Sequence, residues 1–214
     1  MADETTPQVY QLHAWIRQIS PMIWRRLLVR SDSTLADLHD VLQIAFDWSD
    51  LHLHRFRIHG RDYGINRVGG LECSHDARTV PLADFQFRGN ERFLYEYDFG
   101  DGWQHEVRVE RQLAAEPKRK YPVCVGGRRA APPEDSGGPW AFLERRDAVP
   151  GQVREHLERI LQGIDAGALE AIRDELEAVE SVRAWLTLER FDRREVNRRL
   201  RLYAAGDERW REGP

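Results

Sequence analysis

"YEYDFGDGWQHEVRVE", residues 95–110, carries the pattern on which the fold turns. Ahead of the DFGDG segment, Phe93, Tyr95, Tyr97 and Phe99 recur with period two, and behind it Trp103, His105, Val107 and Val109 do the same. Successive side chains of a strand point to opposite sides, so each set shares one face. Gly100 and Gly102 tolerate the positive φ of a tight reversal, and Asp98 and Asp101 can accept from turn amides. The stretch predicts an antiparallel hairpin pairing 93–97 with 103–109. The letters DFG alone do not make a kinase, because no glycine-rich phosphate loop, strand lysine or HRD-like loop accompanies them.

Outward from this hairpin the period changes several times. Residues 8–30 (QVYQLHAWIRQISPMIWRRLLVR) read as two β-rich runs broken at Ser20-Pro21. In 31–48, Leu35, Leu38, Leu42, Ala45 and Phe46 recur at helical spacing, with Ser33 or Thr34 as N-cap, which predicts a helix over 34–46. HLHRFRIHG (52–60) returns to period two and places His52, His54, Phe56 and Ile58 on one face. Residues 61–80 read as loop-rich, and 117–138, dominated by Pro, Gly and Arg, read as one long loop. Beyond Pro139 the chain reads as helical. In GALEAIRDELEAVESVRAWL (167–186), Leu169, Ile172, Leu176, Val179, Val182 and Leu186 form an apolar stripe expected to pack under a charged face. The class is α+β: an antiparallel or mixed sheet with packed helices and a mainly helical part over 139–205. The expected organisation is a disordered stretch 1–7, one domain over 8–205 and a polar tail over 206–214.

The composition narrows the function classes. The 214 residues are 41% hydrophobic with seven Trp, enough for a core, and the net charge of −4 disfavours a whole-protein footprint for nucleic acid. Two cysteines make no disulfide framework, and no apolar run reaches membrane-spanning length, so the expectation is a cytoplasmic protein without a membrane partner.

Three groups of residues could carry chemistry. His52 and His54, two apart on a strand, can converge on one ion, with Asp98, Asp101 and His105 as further ligands; the pattern allows a divalent metal and names no other cofactor. The bland alternative is that both rings pack, and that Asp98 and Asp101 serve only the turn. Cys124 precedes Arg128 and Arg129, a setting that could favour thiolate, although a small buried thiol is the commoner fate; Glu134 and Asp135 follow a double proline that can present them outward. Finally, Arg193, Arg194, Arg198, Arg199 and Arg201 lie on an expected helix that could follow phosphates or bind an acidic partner, with a solvated face as the simpler reading.

Taken in order, ISPMIWRRLLV, TLADLHDVLQIAFDWSDLHLHRF, YEYDFGDGWQHEVRVE, YPVCVGGRRAAPPEDSGG and FDRREVNRRL resemble the plasmid pRiA4b ORF-3-like family over about residues 8 to 202. The resemblance implies a small α+β domain and a mobile-element ancestry, and it brings no established activity. Pro139-Trp140-Ala141-Phe142 replaces the family's usual glycine–aromatic pair, RRDAVPGQVREH leaves His156 only loosely comparable, and the 167–182 stretch is longer than usual. The HLH, DFGD and PPED segments are intact. The sequence therefore predicts one polar pocket built from His52, His54, Asp98, Asp101, His105, Cys124, Glu134 and Asp135. An accessory protein working through that cleft is the leading reading. A metal-dependent hydrolase and a nucleic-acid module using the C-terminal arginines are the alternatives.

Overall fold

The computed structural model describes residues 8–65 and 73–211; the stretch 1–7, part of the 61–80 stretch and the last three residues of the tail lie outside the described residues. Among the described residues, eight strands form one mixed sheet: β1 (Gln8–Ile16), β2 (Trp24–Arg30), β3 (His54–Ile58), β4 (Arg61–Gly64), β5 (His75–Asp76), β6 (Arg92–Tyr97), β7 (Trp103–Ala114) and β8 (Val123–Arg128). Their order is β5-β4-β3-β6-β7-β1-β2-β8, antiparallel throughout except for β4 beside β5. The β6–β7 hairpin stands as the alternation predicts, with Tyr95 opposite His105 and Tyr97 opposite Trp103.

One face of the sheet is apolar. Tyr10, Leu12, Ala14, Ile16, Phe93, Tyr95, Val107 and Val109 are buried there. Helix α1 (Leu35–Phe46) brings Leu35, Leu38, Val41, Leu42 and Phe46 into the same core. Thr34 caps α1 with Asp37 in a reciprocal box that satisfies two otherwise orphaned amides, a device worth about 1 kcal/mol. The opposite face stays wet and is laced by cross-strand ion pairs, Arg26–Glu110 at 2.7 Å, Arg55–Glu96 at 2.7 Å and Arg92–Glu106 at 2.6 Å. That division is what lets an antiparallel sheet face water on one side.

Three expectations need correction. The 61–80 stretch, read as loop-rich, carries β4 at its start and β5 toward its end. The 117–138 stretch is not a continuous loop, because β8 pairs with β2 inside it. Gly126 and Gly127 obscure the strand in the sequence and admit two rings: a Cβ at Gly126 would lie 3.4 Å from Trp24, and one at Gly127 only 2.3 Å from Phe191. The 167–186 stripe is also not one packed face. Helix α3 (Leu169–Ser181) stops short of it, a single turn α4 (Arg183–Leu186) follows, and Leu169, Leu176 and Leu186 are exposed while Val182 is buried. The long helix α2 (Gly138–Ala166) offers α3 only one flank, and Leu157, Leu161 and Ile164 are likewise exposed. His156, the loosely comparable histidine, sits in this helical hairpin with its Nδ1 2.5 Å from Glu175. Helix α5 (Arg193–Ala204) then returns to the sheet, where Asn197 bonds both backbone groups of Cys124. Within the stretch read as a tail, residues 208–211 form a short helical turn and Trp210 is buried against Tyr203.

Candidate functional site

The HLH, DFGD and PPED segments meet at the turn end of the β6–β7 hairpin. Asp47 ends α1 in the left-handed region and redirects the chain. Trp48 then stacks on Tyr97 at 5.1 Å and donates its indole N–H to the Pro132 carbonyl at 2.9 Å. The Ser49 amide donates to Glu134 at 3.1 Å, and the Asp98 amide donates to Leu53 at 2.9 Å. On the far side, the Gly137 amide donates to Asp101 at 2.9 Å. Gly138 approaches so closely that a Cβ would lie 2.3 Å from the Asp101 carbonyl oxygen. The 47–53 segment is thus clamped between the hairpin turn and the 130–138 segment.

Inside this clamp, His52 Nε2 lies 3.1 Å from an Asp135 oxygen and 3.7 Å from Asp98 Oδ2. Bonds near ~2.1 Å at ~90–110° about a metal place ligand atoms roughly 3.0–3.4 Å apart. The three ligand atoms lie within 4.8 Å of one another, so a small closure completes such a set. Nε2 is shielded from solvent yet makes no aligned hydrogen bond to either carboxylate. Tyr97 meets the His52 ring edge-on at 5.8 Å. Asp98 divides its work: Oδ1 accepts from Gly100 at 3.0 Å and Asp101 at 3.3 Å, while Oδ2 faces His52. Asp98 and Asp135 both hold positive φ, 53° and 55°, backbone states uncommon for residues other than glycine and concentrated at working sites. Asp135 is 70% exposed, so the cluster opens to solvent on one side.

The other predicted residues have different fates. His54 does not join His52, because β3 begins at His54 and the period-two alternation does not extend back through the irregular 49–53 segment. Its ring goes under α1 and stacks on His39, 3.5 Å between centroids. His105 is fully buried among Phe46, Trp48 and Tyr95. Burial pushes its pKa down to about 3, with the nearby Tyr95 and Trp103 backbone pulling weakly upward, so it stays a neutral core ring. Glu134 is held in place: Oε1 accepts from the Tyr97 hydroxyl at 2.5 Å and Oε2 from Ser49, while burial and then Glu134 itself raise the Tyr97 pKa and keep that phenol a donor. Asp101 ties the hairpin turn to Gly137. Cys124 lies apart on β8 as the small buried thiol that was the commoner reading, its pKa raised by burial and its thiol donating to Gly126 at 3.2 Å.

A second polar group was not visible in the sequence. Gln43 donates to the Tyr95 hydroxyl at 2.9 Å, that hydroxyl meets His39 Nδ1 at 2.8 Å, and His39 Nε2 meets Asp50 at 2.9 Å. Both ring nitrogens of His39 are thereby engaged, Nδ1 with Tyr95 and Nε2 with Asp50. His39, Asp50 and His54 have metal-compatible spacing too, but His39 has both nitrogens engaged, which makes this a structural network. Its signal was His39 and Gln43, four apart on the apolar face of α1.

The C-terminal arginines are largely used within the chain. Arg193 donates to Val125, Arg198 pairs with Glu195 at 2.7 Å, and Arg199 is buried against Asp47 and the Trp210 carbonyl, so the helix is not a simple solvated face. No helix among the described residues is long and apolar enough to cross a membrane.

Comparison with known proteins gives matching results. A family model described as plasmid pRiA4b ORF-3-like protein covers residues 8–200. The uncharacterized protein y4hQ of Sinorhizobium fredii is 34% identical over 154 residues, 71% of this chain and 79% of that one. The crystal structure of MM3350 from Methanosarcina mazei Go1, a protein of unknown function, is similar with a TM-score of 0.65 at 33% identity, covering 90% of this chain and 98% of that one.

Proposed function

The chain belongs to the plasmid pRiA4b ORF-3-like family, and we propose that it binds a divalent transition-metal ion through His52, Asp98 and Asp135. The observation that carries this reading is the shielded His52 Nε2, which faces two carboxylates without a hydrogen bond to either. One imidazole with two carboxylates suits Mn²⁺, Fe²⁺ or Zn²⁺ better than Ca²⁺ or Cu⁺. An ion there would offset the repulsion between the two carboxylates. Glu134, Asp101 and Tyr97 are positioning residues that hold the two loops in register.

The open side of the cluster favours a further step. Three protein ligands leave coordination positions for water, and a metal lowers the pKa of bound water enough to make it a nucleophile near neutrality. On this reading the protein is a metal-dependent hydrolase whose substrate approaches past Asp135.

Metal analysis of protein purified without chelator, then reloaded with Mn²⁺, Fe²⁺ or Zn²⁺, tests the first step. About one equivalent is expected in the native chain and under ~0.1 equivalent in His52→Ala and in Asp135→Asn. Less than ~0.1 equivalent in the reloaded native protein removes the metal reading altogether. Hydrolysis of bis-(p-nitrophenyl) phosphate and p-nitrophenyl acetate by the loaded protein, lost in His52→Ala, supports the hydrolase; stoichiometric metal without turnover leaves a binding protein.

A further inference from the structure

A cavity of about 540 Å³ lies on the other side of the 130–133 segment, between the end of α1, the β2–β8 edge and the start of α5. Phe46, Pro133, Leu188, Phe191 and Val196 give it a mainly apolar lining. Arg25 also lines it, although this arginine is only 2% exposed. Nε donates to Ala45 at 2.6 Å, and Nη1 donates to Trp24 at 2.8 Å and Arg128 at 3.1 Å. All three acceptors are carbonyls. No carboxylate pairs with this guanidinium, and Nη2 has no hydrogen-bond partner among the described residues, yet is not sealed off. The other buried arginine of the cavity, Arg199, is neutralised by Asp47.

A buried cation without an anion is costly, and burial accordingly pushes the Arg25 pKa down to about 10, with Cys124 and Asp47 pulling it weakly upward. Aromatic rings soften the cost. The guanidinium carbon lies 5.0 Å from the Phe46 centroid and 4.0 Å from that of Phe191. Phe191 can sit there because Gly127 leaves room, since a Cβ at that glycine would lie 2.3 Å from the ring. The acids near the rim are occupied: Asp192 caps α5 and Glu195 pairs with Arg198. Of the two buried arginines, Arg199 pairs with the exposed Asp47 and Arg25 pairs with no carboxylate, which leaves one buried positive charge without an anion.

We infer that this cavity binds a small monocarboxylate with an aromatic or branched apolar body, its carboxylate on Arg25 Nη2 and its body among Phe46, Leu188, Phe191 and Val196. One uncompensated charge matches a monoanion; a phosphate dianion would need more donors than the free edge of one guanidinium provides. The volume lies within the ~300–1,000 Å³ usual for such sites. The inference does not rest on the metal site, although both use the 130–135 segment.

The test is calorimetric titration of the full chain at low salt, with and without EDTA, using 3-phenylpropionate and its neutral analogue 3-phenylpropan-1-ol. A charge-assisted hydrogen bond to a buried guanidinium predicts 1:1 binding of the acid, about 10-fold or more tighter than the alcohol. Arg25→Met should abolish that preference while leaving the alcohol's affinity unchanged. Leu188→Trp fills the cavity and should block both ligands. Equal affinity for acid and alcohol, no binding of the acid, or unchanged acid binding in Leu188→Trp each overturns the inference. If Arg25→Met does not fold, the acid–alcohol comparison and Leu188→Trp still decide. Binding that persists in EDTA separates this site from the metal cluster.

Discussion

Acidification should unfold this protein partly through His105. The ring is fully buried, its neighbours are aromatic, and neither nitrogen makes a well-formed hydrogen bond among the described residues. In the unfolded chain the imidazole takes a proton near its ordinary value of 6.5, whereas in the fold burial delays protonation to about 3. Between those values the unfolded state binds more protons, so stability falls as pH falls, at up to ~1.4 kcal/mol per pH unit. The contribution is complete above 6.5 and is lost on the way down to about 3. Lowering the pH from about 7.5 to about 4.5 should therefore remove about 2–3 kcal/mol through this residue alone. Urea unfolding followed by tryptophan fluorescence, in chelator to remove any metal linkage, measures the total. His105→Leu is close in volume and does not titrate, so the difference between native and variant isolates the imidazole. That difference should shrink by about 2–3 kcal/mol across the range, whatever the variant's absolute stability. A difference constant to within ~0.5 kcal/mol would mean that His105 is not held neutral by burial.

Glu110 gives a test of the same sign at lower pH. Its hydrogen bonds and charge pairing with Arg26 hold it at about 2 against an ordinary 4.5, so its contribution is complete above 4.5 and fades as pH drops toward 2. Because Arg26 is 35% exposed, Glu110→Gln should cost only about 1–2 kcal/mol at neutral pH, read from urea midpoints, with the gap closing in acid. A gap that persists at pH ~2 contradicts the carboxylate's role. Gly138→Ala forces a side chain onto a residue at φ 81° and places its Cβ 2.3 Å from the Asp101 carbonyl oxygen. We expect a loss of about 1–3 kcal/mol in thermal unfolding and a fall in bound metal, since the 130–138 segment must shift. Unchanged melting and metal content would show that the clamp is not what positions Asp135.

Much of the scaffold was legible because its signals are local. The alternation around DFGDG, the Thr34 cap and the helical stripe of α1 each depend on neighbours a few residues away. The site was legible only in part. The meeting of the HLH, DFGD and PPED segments follows the family resemblance, but which residues converge depends on where β3 starts. That single boundary sends His54 under α1 and leaves His52 at the carboxylates. His105 looked like a ligand because it is near Asp101 in sequence, yet strand parity puts it on the core face. Arg25 carries no local signal of its own in the sequence, and only the closure of Phe191 over it from 166 residues away makes it a buried cation.

The placement of the first strand also has a consequence in time. β1 lies inside the sheet, between β2 and β7, and its partner Trp103–Ala114 is synthesised about 100 residues later. Translation at about 5–20 residues per second puts about 5–20 s between the two. Over that interval the β1–β2 pair can form, but its apolar face has only α1 to cover it and both of its edges lack the neighbours they finally acquire, β7 on one side and β8 on the other. Unpaired edges of this kind invite association with other chains. The nascent protein is therefore most exposed to aggregation before β7 leaves the ribosome, and ribosome-bound chains stalled short of residue 103 should engage holding chaperones more strongly than chains long enough for both β7 and β8 to have emerged.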